Sequence, residues 1–175
     1  IVTSPGVSGE ESDAVVMKKD PELLDTWWIE LDQPQGEYEY EYLLINGSRI
    51  ADPLSRRLTN GRTRIEIGPG GISTADDYQW QSVDYVRPSL DTLIIYELHV
   101  DDFAAQGNGQ GRFEDIIARL GHLRSTGINA IELLPITDFP GTHSWGYDPN
   151  LMSAVESRYG TPEDLKVLVD QAHSM

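Results

Sequence analysis

From residue 14 to about residue 67 the chain runs as short segments that alternate apolar and polar positions, separated by turn residues, the pattern of antiparallel β structure. The clearest segment is Tyr38-Glu39-Tyr40-Glu41-Tyr42-Leu43-Leu44-Ile45. Its period of two sets Tyr38, Tyr40 and Tyr42 on one face, expected to be buried, and Glu37, Glu39 and Glu41 on the other, expected to be wet. Asn46-Gly47 then supplies a turn. Trp27 to Leu31 reads as a preceding strand ended by Pro34 and Gly36, and Arg64 to Ile67 as a later one. A complete sandwich wants about seven strands, so this half is expected to be a partial β-sandwich. Gly68-Pro69-Gly70-Gly71 and the polar stretch from Ser73 to Asp77 read as a loop, and Arg87-Pro88-Ser89 as a break. The expected domains are therefore residues 1–88 and 89–175.

Beyond the break the pattern changes. Leu93 to Val100 is nearly continuous in apolar residues, as in a strand covered on both faces, and Ile128 to Ile136 is a second such run. Between them Phe113, Ile116, Ile117, Leu120 and Leu123 recur at helical spacing, with Gly127 as a stop. Strand, helix and strand in this order make a βαβ unit with parallel strands. Thr161-Pro162-Glu163-Asp164 announces a further helix whose apolar stripe is Leu165, Leu168, Val169 and Ala172. A doubly wound sheet and a barrel both fit two successive βα units, and periodicity does not separate them.

Length, charge and cysteine content narrow the function classes. A chain of 175 residues is shorter than the roughly 250 of a whole (β/α)8 barrel. Asp plus Glu outnumber Lys plus Arg by 29 to 13, and the net charge of −16 repels nucleic acid and anionic membrane surfaces, which favours a neutral ligand. No apolar run reaches the 18 residues of a membrane span. The opening Ile-Val-Thr-Ser-Pro-Gly lacks a signal-peptide pattern, and the chain stops straight after a patterned helix, so it is read as an internal fragment whose compartment is open. With no cysteine there is neither a disulfide nor a thiolate metal site, no His/carboxylate spacing suggests another metal, and no cofactor is implied.

Ligands of parallel α/β architectures sit on the loops at the carboxyl ends of the strands. The first such loop, Asp101 to Gly111, lacks a phosphate-binding glycine spacing. The second, Thr137 to Gly160, is long for a βα connection and contains Ser144-Trp145-Gly146-Tyr147-Asp148-Pro149. Trp145 and Tyr147 offer flat apolar faces with polar edges, suited either to stacking on a sugar ring or to packing the loop down. Glu97, His99 and Glu132 interrupt apolar strands on one shared face, as an acid–base pair or, the preferred reading, as a hydrogen-bonded interior network.

Ile95-Tyr-Glu-Leu-His-Val-Asp-Asp-Phe103, Gly127-Ile-Asn-Ala-Ile-Glu-Leu-Leu-Pro-Ile136, the Ser144–Pro149 segment and Glu156-Ser-Arg-Tyr-Gly-Thr-Pro-Glu-Asp-Leu165 together resemble the α-amylase family of glycoside hydrolases. Branching, isoamylase-like debranching and trehalohydrolase-type members are the most similar in pattern. Gly36 to Gly47 with Ile50 to Pro53 resembles the second half of the glycogen-binding β-sandwich module that precedes the barrel in those enzymes. Such relatives often carry a lysine near the position of Glu41, and they open on a Gly-Asp-Phe-Asn-x-Trp motif that is absent here. Trp27 and Trp28 remain as platforms or as core residues.

The resemblance implies a β-sandwich fragment followed by the first two βα units of a (β/α)8 barrel. It also implies action on an α-glucan such as starch, glycogen or maltooligosaccharide by a retaining mechanism. The family's catalytic carboxylates lie on later strands, so none is expected in this chain. Tyr147 matches the family tyrosine that stacks on the sugar whose bond is broken, and Trp145 and Asp148 flank it as further substrate-binding candidates. The alternative is a non-catalytic α-glucan-binding or scaffolding protein on the same fold.

Overall fold

The computed structural model describes residues 2–3, 14–72, 78–105 and 109–175, and the chain divides into two compact units, Ile1–Ala75 and Asp76–Met175. The expected loop from Ser73 to Asp77, most of the opening residues and part of the Asp101–Gly111 loop lie outside the described residues.

The first unit is wholly antiparallel among its described strands. These are β1 (Val2–Thr3), β2 (Lys18–Lys19), β3 (Trp27–Trp28), β4 (Gly36–Tyr40), β5 (Tyr42–Leu43), β6 (Arg49–Ile50), β7 (Leu58–Thr59), β8 (Arg62–Gly68) and β9 (Gly71–Ile72). One sheet has the order β1-β4-β8-β7 with β9 folded back on β8, while β2 pairs β3 and β5 pairs β6. In the central pair Tyr38 faces Ile65 and Gly36 faces Ile67. Tyr38 is buried and satisfies its hydroxyl by donating to the Pro34 carbonyl at 2.8 Å. The expected turn forms at Asn46-Gly47, where Gly47 takes φ +83° and its N–H donates to the Leu44 carbonyl at 2.9 Å.

The alternating face is not as expected at Glu41, which is buried at 8% exposure. The ladder of β4 ends at Tyr40, and Glu41 turns inward to pair with Arg49 and, at 3.6 Å, with Arg62. Two guanidinium groups replace the water that the carboxylate gives up. Tyr40 and Tyr42 share one acceptor, donating to Asp52 Oδ2 at 2.6 and 3.1 Å. Trp27 and Trp28 are both exposed, with the Lys18 ammonium 5.5 Å from the Trp28 ring centre, so neither is a core residue.

The second unit carries β10 (Ile95–Leu98), α1 (Val100–Ala104), α2 (Phe113–Ile117), α3 (Leu120–Ser125), β11 (Ala130–Leu133), β12 (Thr137–Asp138), β13 (Leu151–Val155) and α4 (Pro162–His173). β10 and β11 pair in parallel, with Ile95 opposite Ala130 and Leu98 opposite Leu133, and the helices α1 to α3 make the crossover. Both strands are shorter than their apolar runs. His99 ends β10 by capping α1, its Nδ1 accepting from the Asp102 N–H at 3.3 Å, and Pro135 cannot donate to a ladder beyond β11.

The helix expected over Phe113 to Leu123 is interrupted between α2 and α3. Arg119 sits at the break with φ −109° and ψ 0°, and its guanidinium donates to the carbonyls of Phe103 and Ala104 at 3.1 and 2.8 Å. It thereby satisfies carbonyls at the end of α1 that have no partner within that helix. The apolar stripe still works as a unit: Phe113 and Ile116 are fully buried, together with Val100, Tyr159 and Leu168. Burial of each such side chain contributes about 1.5–3 kcal/mol.

α4 starts as its sequence indicates, with a reciprocal capping box between Thr161 and Asp164 and Pro162 in the first turn. Asp170 within it is buried. Its carboxylate accepts from the Ser82 hydroxyl, the Ser82 N–H (2.8 Å), the Gln81 N–H (2.8 Å) and the Tyr78 hydroxyl (3.1 Å). These bonds attach residues 78–82 to α4 within the second unit. No described helix is long and apolar enough to cross a membrane.

Candidate functional site

The connection from Thr137 to Gly160 is ordered by an antiparallel pair, β12 with β13, that holds Thr137 against Val155 and Asp138 against Leu151. The intervening segment returns to the carboxyl end of β10. There the buried His99 sets its Nε2 2.9 Å from the Ser144 carbonyl and 2.9 Å from the Tyr159 hydroxyl. A carbonyl oxygen can only accept, so Nε2 carries a proton toward Ser144, while Nδ1 lies 3.3 Å from the Asp102 N–H and 3.2 Å from Asp102 Oδ2. Two residues further on, Asp101 Oδ2 lies 3.3 Å from His143 Nδ1 while Oδ1 accepts from the Gly111 N–H at 2.8 Å. Burial alone would raise the Asp101 carboxyl, but the Gly111 N–H and the His143 ring hold it below the ordinary carboxylate value.

Within the turn Ser144 is the organiser. Its hydroxyl donates to Asp148 Oδ1 and accepts from the Gly146 N–H at 3.0 Å. Gly146 has φ +84°, and a Cβ there would stand 2.4 Å from the Pro135 carbonyl oxygen. Only glycine lets the turn lie this close to the end of β11. The result displays Trp145 at 62% and Tyr147 at 69% exposure.

An open hollow of about 420 Å³ lies beside this turn, lined by Tyr96, Glu97, His99, Asp102, Phe103 and Trp145 among others. The structure thus brings Trp145 to the hollow and Asp148 to Ser144, and it holds Tyr147 exposed on the same turn without making it part of the hollow's wall. Glu97 and Glu132 are register partners on one sheet face, as their positions suggest. Both are exposed, however, and neither has a hydrogen bond to a described residue, so the interior network expected of them is not formed here.

The polar network lies elsewhere. His99, Tyr159, Asp101, His143 and Ser144 form it, and of these only His99 stands out in the sequence, as a polar residue in an apolar run. The others come together only through the return of the long connection. Tyr159 is 1% exposed, and burial together with the charges of Asp101, Glu156 and Asp102 raises its phenol further above its ordinary value. Burial also raises the carboxyls of Asp138 and Glu156; Glu156 accepts from the Arg158 N–H at 2.9 Å and the Phe139 N–H at 3.4 Å. No cluster of three or more metal-ligating side chains occurs among the described residues. Exposed aromatic faces, a hydroxyl and carboxylates around an open hollow suit a neutral, polyhydroxylated ligand.

The catalytic-domain model of the α-amylase family matches residues 97–175, and these residues are similar to that family's catalytic domain. It is 34% identical to a malto-oligosyltrehalose trehalohydrolase of Saccharolobus solfataricus, over 84% of this chain and 25% of that protein. A malto-oligosyltrehalose trehalohydrolase of Arthrobacter ramosus is 38% identical, over 85% of this chain and 25% of its own length. A 1,4-alpha-glucan branching enzyme of Picrophilus torridus is 35% identical, over 59% and 15%. Among solved structures, a protein of Salmonella typhimurium provisionally described as an alpha amylase superposes with a TM-score of 0.69 and 29% identity. That match covers 90% of this chain and 25% of the Salmonella protein. The chain therefore spans about a quarter of the length of the trehalohydrolases it matches.

Proposed function

We propose that this chain is part of an α-glucan-active enzyme that cleaves or transfers glucosyl units with retention. In this reading its first unit is part of a β-sandwich module of the carbohydrate-binding type, and its second unit supplies the opening two βα units of a (β/α)8 barrel. The observation that carries the reading is the turn Ser144–Asp148, held at the carboxyl end of a parallel strand pair by His99 and by the approach of Gly146 to Pro135. Enzymes of barrel architecture carry their substrates at that end. The substrate class comes from the relatives, named as malto-oligosyltrehalose trehalohydrolases and a 1,4-alpha-glucan branching enzyme.

Tyr147 is the platform for a glucose ring, with Trp145 and Asp148 contacting the same chain of sugars. Retention requires a carboxylate nucleophile and a carboxylic acid about 5 Å apart, forming and then hydrolysing a covalent glycosyl intermediate. Glu97 and Glu132, each the third residue of a four-residue strand, are not given these roles, because the resemblance to the α-amylase family puts the catalytic carboxylates on later strands. The nucleophile and acid belong to later strands of the barrel.

Titration of the chain with maltoheptaose, followed by tryptophan fluorescence, tests the binding half of the proposal. A saturable change in the millimolar range, about −4 kcal/mol, is expected, and Tyr147→Ala should shift its midpoint to about tenfold higher maltoheptaose. The absence of any change in the unaltered chain would overturn the assignment of this turn.

A further inference from the structure

We infer that His99 is a positioning residue for sugar recognition: its Nε2–H holds the Ser144 carbonyl, and so fixes the turn that presents Trp145 and Tyr147. The inference rests on the α-glucan reading for what the turn contacts, and not for how the turn is held.

Among the described residues the turn has few holds on the rest of the second unit. Gly146 lies against Pro135 but makes no hydrogen bond to it, and the Ser144 hydroxyl bonds only within the turn, to Gly146 and Asp148. His143 to Asp101 is a solvent-exposed contact at 3.3 Å. Among the described residues, the one bond between the turn's own backbone and a buried side chain is therefore His99 to Ser144, at 2.9 Å. The imidazole is itself held on three sides. Asp102 N–H meets Nδ1, the Tyr159 hydroxyl meets Nε2, and the Tyr159 ring stands edge-on at 5.9 Å between centres. A donor fixed in this way transmits the rigidity of the buried core to the exposed turn. His99 also lines the hollow beside Trp145, so the held turn and the space it faces share one wall.

The test compares amide hydrogen exchange across the full 175-residue chain in the unaltered protein, His99→Leu and His99→Gln. Leucine keeps the bulk and removes the donor, whereas the glutamine amide nitrogen reaches the place of Nε2. The expected result is at least tenfold faster exchange at Gly146 and its neighbours in H99L, recovery to within threefold of the unaltered rate in H99Q, and unchanged exchange in α4. Should H99L not fold, H99N takes its place, because asparagine can reach the Asp102 amide but stops short of Ser144; the same tenfold increase is expected. Unchanged exchange over residues 144–148 in the variant lacking the donor, or an H99Q rate as fast as that of H99L, overturns the inference. Maltoheptaose titration of the same proteins separates the two readings. If the unaltered chain binds, H99L should bind about tenfold more weakly and H99Q as tightly as the unaltered chain. If the unaltered chain does not bind, the glucan reading fails, and the exchange rates still decide whether His99 holds the turn.

Discussion

The imidazole of His99 and the carbonyl of Ser144, forty-five residues apart in the chain, meet at 2.9 Å and tie the end of a buried strand to an exposed aromatic turn. That contact is possible because Gly146 lets the turn settle on the end of β11. Gly146→Ala is accordingly expected to cost about 2–4 kcal/mol of stability, from a side chain forced to φ +84° together with a Cβ 2.4 Å from the Pro135 oxygen. Gly47→Ala is the control. It has a similar φ of +83° but open space around the Cβ, so only the backbone part, about 1 kcal/mol, should appear. Urea unfolding of both variants measures the difference, and equal losses would mean that the approach to Pro135 is not tight.

Much of this arrangement is legible in the sequence, and the exceptions have physical causes. The parallel pair, the capping box at Thr161 and the turn at Asn46-Gly47 each follow from patterns only a few residues long. Glu41 does not, because its burial depends on Arg49 and Arg62, which alternation along one strand cannot supply. The break at Arg119 escapes for the same reason, since its cause is a pair of carbonyls on α1. At the candidate site the aromatics of the turn are visible as residue types. The clamp of His99, Tyr159 and Ser144 is not, since a long connection has to return before those atoms are neighbours.

Asp170 should make stability acid-sensitive. The Ser82 hydroxyl, opposed by burial and joined by the Gln81 and Ser82 amides and the Tyr78 hydroxyl, pulls its carboxyl from an ordinary 3.8 down to about 2. A folded value below the unfolded one stabilises the native state fully above about pH 4, and that contribution disappears as the pH falls toward 2. Asp170→Asn is expected to melt at a lower temperature than the unaltered chain at pH 7, with the gap closing between pH 4 and pH 2. A gap that stayed constant across that range would show that the charge of Asp170 is not what holds residues 78–82.

Glu156 should act in the opposite sense. Burial raises its carboxyl above the ordinary 4.5, and the charge of Asp138 adds to this, while the Arg158 and Phe139 amides resist it. An acid whose folded value is raised takes up a proton more readily when folded, so stability declines as the pH rises from the unfolded value through the folded one. Glu156→Gln removes the titration but keeps an oxygen to accept from the Arg158 N–H. Denaturation midpoints measured from pH 4 to pH 7 are expected to fall in the unaltered chain and to stay flatter in E156Q; parallel curves would refute this assignment.

Trp145 and Tyr147 separate binding from stability. At 62% and 69% exposure, their side chains bury little apolar surface against the protein, and Tyr147 makes no side-chain hydrogen bond to a described residue. Surface side chains of this kind change unfolding free energy by no more than about 0.5 kcal/mol when truncated. A ring that serves as a platform for a sugar contributes to binding by stacking, and its loss should weaken maltoheptaose affinity about tenfold, or about 1.4 kcal/mol. Tyr147→Ala and Trp145→Ala are therefore expected to unfold at the same urea concentration as the unaltered chain and to bind maltoheptaose more weakly, with Tyr147→Phe close to unaltered because the ring face remains. If either alanine variant lost several kcal/mol of stability, its ring would be packing the loop onto the protein and not waiting for a ligand.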